Sequence, residues 1–291
     1  MIASEMLLYE LVDDVWNEFV KLKGCEDEFT IKKNKMKESK KISEIIVPTM
    51  PIIYFGDYNK YRESKIKIVT VSLNPSDREF KKNKNDSEYS FFRFQSAKDL
   101  YGKDRLNEDD IKKYLESINN YFNIEPYREW FDDNRRHLFK IFDASYYKDE
   151  KENVPLHIDL ATAIATNPTW GGLPKEAKQL FLARNKGKWT RLLEILSPDI
   201  MLLSLDTKYL KEVDRNLYEK LQENMEEYQE ANNTRKKKYL TSEVSLKNEK
   251  IIKVMDIVTS NKAFQFTKNG LGQKKFTDIL LKWKEEIECQ R

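Results

Sequence analysis

Apolar positions along the chain recur with a helical period in several segments. Residues 8–20 place apolar side chains three and four positions apart, which predicts a first amphipathic helix that ends around Gly24. The same spacing returns at residues 111–122, where Asn107 is suited to cap the helix, and Trp130 and Phe131 belong to the helix that follows. Later helices are predicted at residues 189–196, 209–221 and 276–287.

Between these helices lie short apolar runs that are typical of buried strands. They cover residues 67–73, 157–165, 199–205 and 250–258. Strands alternating with helices predict an α/β fold, a three-layer α/β/α arrangement around a central four-stranded parallel sheet. We expect residues 1–47 to form an N-terminal helix and a basic connector, and residues 48–291 to form the α/β domain, with a charged excursion near residues 222–249.

Composition narrows the function classes. The 291 residues are 40% apolar and 12% aromatic, which is enough for a substantial core. The net charge of +3 is a small difference between 52 basic and 49 acidic residues, so any affinity for nucleic acid must come from local clusters, such as the lysines of residues 32–41 and the basic run 235–238. A solvated surface is the commoner explanation of such clusters.

Several classes are disfavoured by what the chain lacks. Cys25 and Cys289 have no ligand spacing, which argues against a disulfide framework or a thiolate metal site, and we predict no metal and no cofactor. No apolar run approaches the roughly 18 residues of a membrane span, and the first residues are acidic, so a cytoplasmic protein without a membrane partner is expected. Walker A and Gly-x-Gly-x-x-Gly loops are also missing. The oligomeric state is left open.

The run at residues 67–73 ends in Asn74-Pro75-Ser76-Asp77. Because proline lacks an N–H and cannot continue a ladder, Asn74 is expected at the carboxyl end of a strand, the edge where open parallel sheets bind ligands. The alternative is an ordinary turn. Polar residues that follow or close the other predicted strands should reach the same edge, and these are His157, Asp159, Thr166, Asn167, Thr169, Ser204, Asp206, Thr259, Ser260, Asn261 and Lys262.

Three blocks in this order resemble the uracil-DNA glycosylase superfamily over about residues 51–280. Ser72-Leu73-Asn74-Pro75-Ser76 is similar to the signature of its thymine- and mismatch-specific branch, except that Ser72 replaces a leading glycine. Residues 54–57 and 77–80 resemble the flanks of that signature in a little-characterised bacterial set. A second block, residues 157–160 followed by 165–170, with residues 145–147 before it, resembles the same set.

The resemblance implies that Asn74 positions an attacking water. Cleavage of a base–sugar bond develops an oxocarbenium-like cation, and Asp159 is the best carboxylate to stabilise it or to accept a proton, although a structural role is equally open. His157 would bond the departing base, or else serve as a satisfied core group. Residues expected to contact base or DNA are Phe55, Gly56, Asp57, Pro75, Ser76, Asp77, Arg93, Tyr147, Asn167, Trp170, Asn261, Lys262 and Gln265. For Arg93 the alternative is an exposed charge between packed phenylalanines.

The chain differs from the superfamily pattern at one position, and this difference changes the expected substrate. Superfamily members commonly carry a late histidine that stabilises the departing base, whereas this chain has none after His157, so Asn261, Lys262 or Gln265 would replace it. The expectation is a monofunctional DNA glycosylase that acts on a damaged, mismatched or modified pyrimidine, including bases of phage DNA in a defence role. The alternatives are a non-catalytic nucleic-acid-binding module on the same fold and an unrelated α/β enzyme for nucleotides or sugars.

Overall fold

A computed structural model describes residues 3–24, 44–131, 136–147, 150–228, 237–258 and 271–291. The chain divides into two compact units, each built from three segments. Unit 1 comprises residues 1–55, 73–126 and 159–195, and unit 2 comprises residues 56–72, 127–158 and 196–291. Helices and strands are both present, so the prediction of a mixed α/β protein is confirmed.

The helices and strands are, in chain order, α1 (Ala3–Gly24), β1 (Glu44–Ile45), α2 (Tyr58–Glu63), β2 (Ile68–Ser72), α3 (Glu108–Asn119), α4 (Arg128–Phe131), α5 (Arg136–Ile141), β3 (Leu156–Asp159), β4 (Thr166–Asn167), α6 (Lys175–Leu196), β5 (Ile200–Leu203), α7 (Leu210–Val213), α8 (Arg215–Glu223), β6 (Met225–Tyr228), β7 (Lys237–Ser245), β8 (Ile251–Val258) and α9 (Leu271–Cys289). Short 3-10 turns cover Asp77–Phe80, Gln95–Leu100, Tyr121–Asn123, Trp170–Gly172 and Thr207–Tyr209. None of the described helices is both long enough and apolar enough to cross a membrane.

A six-stranded sheet forms the centre of unit 2, in the order β3-β2-β5-β8-β7-β6. The pairs β2–β5 and β5–β8 are parallel, whereas β8–β7 and β7–β6 are antiparallel. Every residue of β2 and of β5 is buried, which is typical of strands covered on both faces. The sequence predicted four parallel strands, and the described sheet has six strands of mixed direction.

The two additional strands come from the charged excursion near residues 222–249. Early in β7, Tyr239 and Leu240 are both buried, and over the last four residues of the strand Ser242 and Val244 are buried while Glu243 and Ser245 are exposed. This alternation buries only one face, so the strand needs few apolar residues and lacks the continuous run by which β2 and β5 are recognised. The predicted strand at residues 157–165 also differs, since β3 ends at Asp159 and β4 pairs separately with β1.

Unit 1 is held together by aromatic residues and long-range hydrogen bonds. The predicted first helix is confirmed as α1, and the fully buried Trp16 donates from Nε1 to the carbonyl oxygen of Lys103 at 3.0 Å. Asn107 caps α3 as predicted, in a capping box with Asp110. The hydroxyl of Tyr114 donates to the carbonyl oxygen of Pro51 at 3.0 Å, which fastens the segment before Phe55 to α3.

Candidate functional site

Asn74 follows β2 by two residues and lies in unit 1 with its side chain partly exposed. Its amide nitrogen Nδ2 donates to Oγ1 of Thr166 at 2.9 Å and to the carbonyl oxygen of Pro75 at 3.0 Å. The Thr166 hydroxyl donates its own hydrogen to the carbonyl oxygen of Pro168 at 2.9 Å, so it accepts from Asn74. Both partners of the amide are acceptors, which fixes the nitrogen on their side.

The orientation of this amide determines which atom can act. Both hydrogens of Asn74 Nδ2 are used, and the oxygen Oδ1 retains its acceptor capacity. No hydrogen bond among the described residues involves Asn74 Oδ1. The arrangement therefore offers a fixed carbonyl-type acceptor just beyond the end of a buried strand, which is what orienting a water requires.

A network around the Asp77 carboxylate continues from this turn. Ser76 bridges to Thr166 in the manner of a parallel strand pair, and its hydroxyl donates to Asp77 Oδ1 at 3.3 Å. Asn167 Nδ2 donates to the hydroxyl of Tyr89 at 2.7 Å, and that hydroxyl lies 3.5 Å from Asp77 Oδ2. The Asn74 cluster, defined here as Asn74, Ser76, Asp77, Thr166 and Asn167, thus brings together four predicted site residues and Thr166, which was expected at this edge without an assigned role.

A buried acid lies close to this cluster. Glu79 is 3% exposed, and the Tyr121 hydroxyl donates to its Oε2. Burial, with smaller contributions from the negative charges of Asp159 and Asp77, raises the pKa of the Glu79 carboxyl to about 7, against the lowering effects of Tyr121 and of Arg93. Asp159 ends β3 and is 6% exposed. Glu79 was not predicted from the sequence, since nothing in the string of residues 77–80 shows that its carboxyl is buried.

Arg93 is buried, and backbone carbonyl groups bind its guanidinium. It is 6% exposed, and its guanidinium donates from Nε to the carbonyl oxygen of Glu125 at 2.7 Å and from Nη1 to that of Arg78 at 2.9 Å. The alternative of an exposed charge between phenylalanines is wrong, because these carbonyl groups draw the guanidinium inward. Nothing in this geometry supports the predicted contact with phosphate or base.

The predicted aromatic positions of unit 1 are largely explained by packing. Phe55 and Trp170 are 1% and 5% exposed, and the Phe55 ring meets the Tyr121 ring edge-on with centroids 4.8 Å apart. A Cβ on Gly172 would lie 2.8 Å from Cβ of Pro168, so glycine allows a close approach of the chain there. The N–H of Gly172 donates to the carbonyl oxygen of Thr169 at 2.9 Å. Pro75 is buried within its turn.

His157 lies in unit 2, where both ring nitrogens have partners. Nδ1 is 2.8 Å from Oγ1 of Thr70, and Nε2 is 3.0 Å from Oγ of Ser72. The Tyr146 hydroxyl bonds to the same Thr70 oxygen. The His157 group, defined as Thr70, Ser72, Tyr146 and His157, is buried throughout. This geometry matches the alternative of a satisfied core histidine and leaves the predicted contact with a departing base without support.

The remaining predicted residues of unit 2 do not join a common cluster. Asp57 caps α2, accepting from the backbone N–H groups of Asn59 and Lys60 at 3.1 Å each, and Gly56 before it has φ 120°. The guanidinium of Arg128 lies 4.8 Å from the ring centroid of Tyr147.

The late positions predicted to replace the histidine, Asn261, Lys262 and Gln265, lie outside the described residues. Within the described ranges, no group of three or more His, Cys, Asp or Glu side chains is placed to hold a metal ion.

Comparison with known proteins gives no family for the chain. No family model matches it, and no curated protein and no solved structure matches it either. The fold and the site together define an α/β protein whose unit 1 carries a partly exposed polar cluster just beyond a buried strand. The resemblance drawn from the sequence blocks stays a prediction.

Proposed function

We propose that the protein is a monofunctional DNA glycosylase that hydrolyses the N-glycosidic bond of a damaged, mismatched or modified pyrimidine and leaves an abasic site. The observation that supports this is the fixed amide of Asn74, whose nitrogen is held by Thr166 and Pro75 while Oδ1 keeps its acceptor capacity. A water that donates to this oxygen is oriented for attack on an anomeric carbon, which is the main positional demand of glycosidic hydrolysis.

In the proposed reaction the water oxygen forms a bond to C1′ as the bond from C1′ to the base nitrogen breaks. The electron pair of that bond leaves with the base, which takes a proton from solvent. Asp159 faces the developing positive charge and accepts the proton that the attacking water loses. No metal and no cofactor take part in this scheme. No lysine is assigned to a covalent intermediate, so strand cleavage by the enzyme itself is not expected.

The fold is consistent with this proposal at a coarse level. The strands β2, β5 and β8 are parallel neighbours in one sheet, and Asn74 follows the end of β2. We propose further that β3, β2, β5 and β8 form the four central strands of a glycosylase-like sheet, with β7 and β6 added at one edge. DNA with an extruded base is the proposed partner, a cytoplasmic location is part of the proposal, and defence against phage DNA is the proposed setting.

A non-catalytic nucleic-acid-binding module is the second candidate. The geometry of His157 favours it, because Thr70 and Ser72 occupy both ring nitrogens and leave no open position for a departing base. In this reading the protein binds DNA through the same surface and releases no base.

The experiment that separates these candidates incubates the purified protein with a panel of DNAs and then treats them with alkali, which breaks strands at abasic sites. The panel contains uracil, a G·T mismatch, oxidised cytosines and phage-type modified pyrimidines, each in single- and double-stranded form. Alkali-dependent breaks support the glycosylase. If the protein binds these DNAs and yields no breaks on any of them, the glycosylase proposal is lost and the binding module gains.

Asn74→Ala tests the role of the amide directly. We expect the turnover rate on the best substrate to fall about 100-fold or more while DNA affinity changes little, because the variant loses an interaction with the attacking water. The matched control is Asn85→Ala, an exposed asparagine of the same unit, which should keep the wild-type rate. Equal rates for Asn74→Ala and the wild type would remove Asn74 from the mechanism.

A further inference from the structure

We propose that Thr166 is a positioning residue for the Asn74 amide, and that its hydroxyl keeps Asn74 Oδ1 in the orientation that holds the attacking water. This inference rests on the proposed function for its consequence in catalysis. Its structural part, the orientation of one amide by one hydroxyl, stands on the geometry of unit 1 alone. Thr166 belongs to the second sequence block, residues 165–170, but no role was assigned to it from the sequence.

The hydroxyl of Thr166 has a defined direction because it takes part in two bonds of opposite sense. It donates to the carbonyl oxygen of Pro168 at 2.9 Å, and it accepts from Asn74 Nδ2 at 2.9 Å. A carbonyl oxygen cannot donate, so the hydroxyl hydrogen is committed to Pro168 and the hydroxyl can only accept from Asn74. The Thr166 hydroxyl therefore pairs with the amide nitrogen of Asn74 and not with its amide oxygen.

The backbone of Thr166 is fixed on two sides. In β4 it pairs with Ile45 of β1, and it bridges to Ser76 in the turn that follows Asn74. Its exposure is 0%. Because the backbone is held by these neighbours and the side chain is enclosed, the hydroxyl presents a rigid acceptor, whereas the terminal torsion of an asparagine side chain is intrinsically broad.

Removal of the hydroxyl should release the amide without removing the side chain's bulk. In Thr166→Val a methyl group replaces the hydroxyl, so Asn74 Nδ2 keeps Pro75 and loses its second acceptor. The amide then samples other rotations, and Oδ1 spends less time in the productive orientation. We expect kcat on the best substrate to fall about fivefold to tenfold with KM unchanged, the scale of one lost neutral hydrogen bond. Thr166→Ser restores the hydroxyl and should restore most of kcat.

The structural part is tested by NMR on protein labelled with nitrogen-15, with no substrate present. The side-chain amide signals of Asn74 are assigned by their loss in Asn74→Ala. In the wild type we expect slow exchange of these protons with solvent. In Thr166→Val they should shift and exchange at least severalfold faster, and Thr166→Ser should return them toward the wild type. Thr169→Val is the matched control, since Thr169 is exposed in the same loop and should leave the Asn74 signals unchanged.

The outcomes separate the inference from the proposed function. Unchanged Asn74 signals in Thr166→Val overturn the inference, whatever the activity. Changed signals with an unchanged kcat also overturn it, because the orientation would then not matter to the reaction. If the wild type makes no abasic sites at all, the proposed function fails while the NMR comparison still decides whether Thr166 orients the amide. Thr166→Ala, examined in the same way, replaces Thr166→Val if the latter does not fold.

Discussion

Two polar groups near strand ends differ in how their hydrogen-bonding capacity is used. In the His157 group of unit 2, Thr70 and Ser72 from β2 bind both nitrogens of the imidazole, and His157 is 2% exposed. In the Asn74 cluster of unit 1, Thr166 and Pro75 bind the amide nitrogen, whereas no described residue bonds to the amide oxygen. Both ring nitrogens of His157 are therefore bound within the protein, whereas the amide oxygen of Asn74 is oriented and can still accept a hydrogen bond.

The difference shows how to distinguish a structural polar residue from a functional one. A buried polar group without a partner costs about 1–3 kcal/mol, so protein cores satisfy the large majority of such groups. A fully satisfied set such as the His157 group needs no ligand to explain it. An amide fixed on one side and unbound on the other has been oriented at some cost to conformational freedom, and this is the pattern expected where a water or ligand completes the set.

Truncating one residue of each group gives the most direct test of this difference. We expect His157→Ala to lower the free energy of unfolding by about 4 kcal/mol, since it leaves a cavity and removes the partner of both Thr70 and Ser72. Asn74→Ala, at a partly exposed position, should lower it by about 1 kcal/mol or less. Urea unfolding of both variants at one pH gives the two values. Similar losses would mean that the groups do not differ as described.

The parts of the fold that the sequence predicted are those whose signal is local. The fully buried β2 and β5 follow continuous apolar runs, and the capping box at Asn107 follows from residue type and spacing. The strands β6 and β7 were missed because β7 buries a single face, and its charged residues resemble those of a solvated loop. One-sided strands carry about half the apolar signal of strands covered on both faces.

The site residues predicted from the sequence are chain neighbours in one turn, together with Asn167, which follows another predicted strand. Asn74, Ser76 and Asp77 are neighbours in sequence, and proline next to asparagine marks the turn. Thr166 lies 92 residues from Asn74, so no spacing rule predicts that its hydroxyl holds the amide. Arg93 shows the converse, because its charge indicated a ligand contact, whereas backbone carbonyl groups from two distant segments bind its guanidinium.

A second test uses Glu79, a buried carboxyl in the same unit as the Asn74 cluster that accepts from the Tyr121 hydroxyl. Its carboxyl has an ordinary pKa of 4.5 and a pKa of about 7 in the folded protein, raised mainly by burial. Between these pH values the unfolded chain has lost the proton that the folded protein still holds, so the free energy of unfolding falls as pH rises from about 4.5 to about 7. At about 1.4 kcal/mol per pKa unit, the fall is on the order of 3 kcal/mol.

Glu79→Gln cannot titrate and keeps an oxygen that accepts from Tyr121. Urea unfolding at pH 5, 6, 7 and 8 should therefore show the variant gaining stability relative to the wild type as pH rises, with little further change above pH 7. Glu88→Gln, at an exposed glutamate of the same unit, is the control and should follow the wild type. A constant difference between wild type and Glu79→Gln across this range would show that Glu79 is ionised throughout.

The smallest expected effect concerns the loop that supports Thr166. A Cβ on Gly172 would lie 2.8 Å from Cβ of Pro168, whose carbonyl oxygen accepts the Thr166 hydroxyl, whereas a Cβ on Gly171 would meet nothing within 4 Å. Gly172→Ala should displace Pro168 and lower the free energy of unfolding by about 1 kcal/mol, the low end of overpacking costs. Gly171→Ala should leave stability near the wild-type value.

Gly172→Ala and Gly171→Ala also show whether the orientation of Asn74 Oδ1 depends on the loop that contains Pro168. A displaced Pro168 weakens the partner that directs the Thr166 hydroxyl, so the Asn74 side-chain amide signals should shift in Gly172→Ala and stay in place in Gly171→Ala. The ring signals of His157 serve as the internal reference, because its partners lie on β2 and not on this loop. If Gly172→Ala leaves the Asn74 signals unchanged, Pro168 is not needed to orient the Thr166 hydroxyl, and the amide is held by Thr166 and the turn at Pro75 alone.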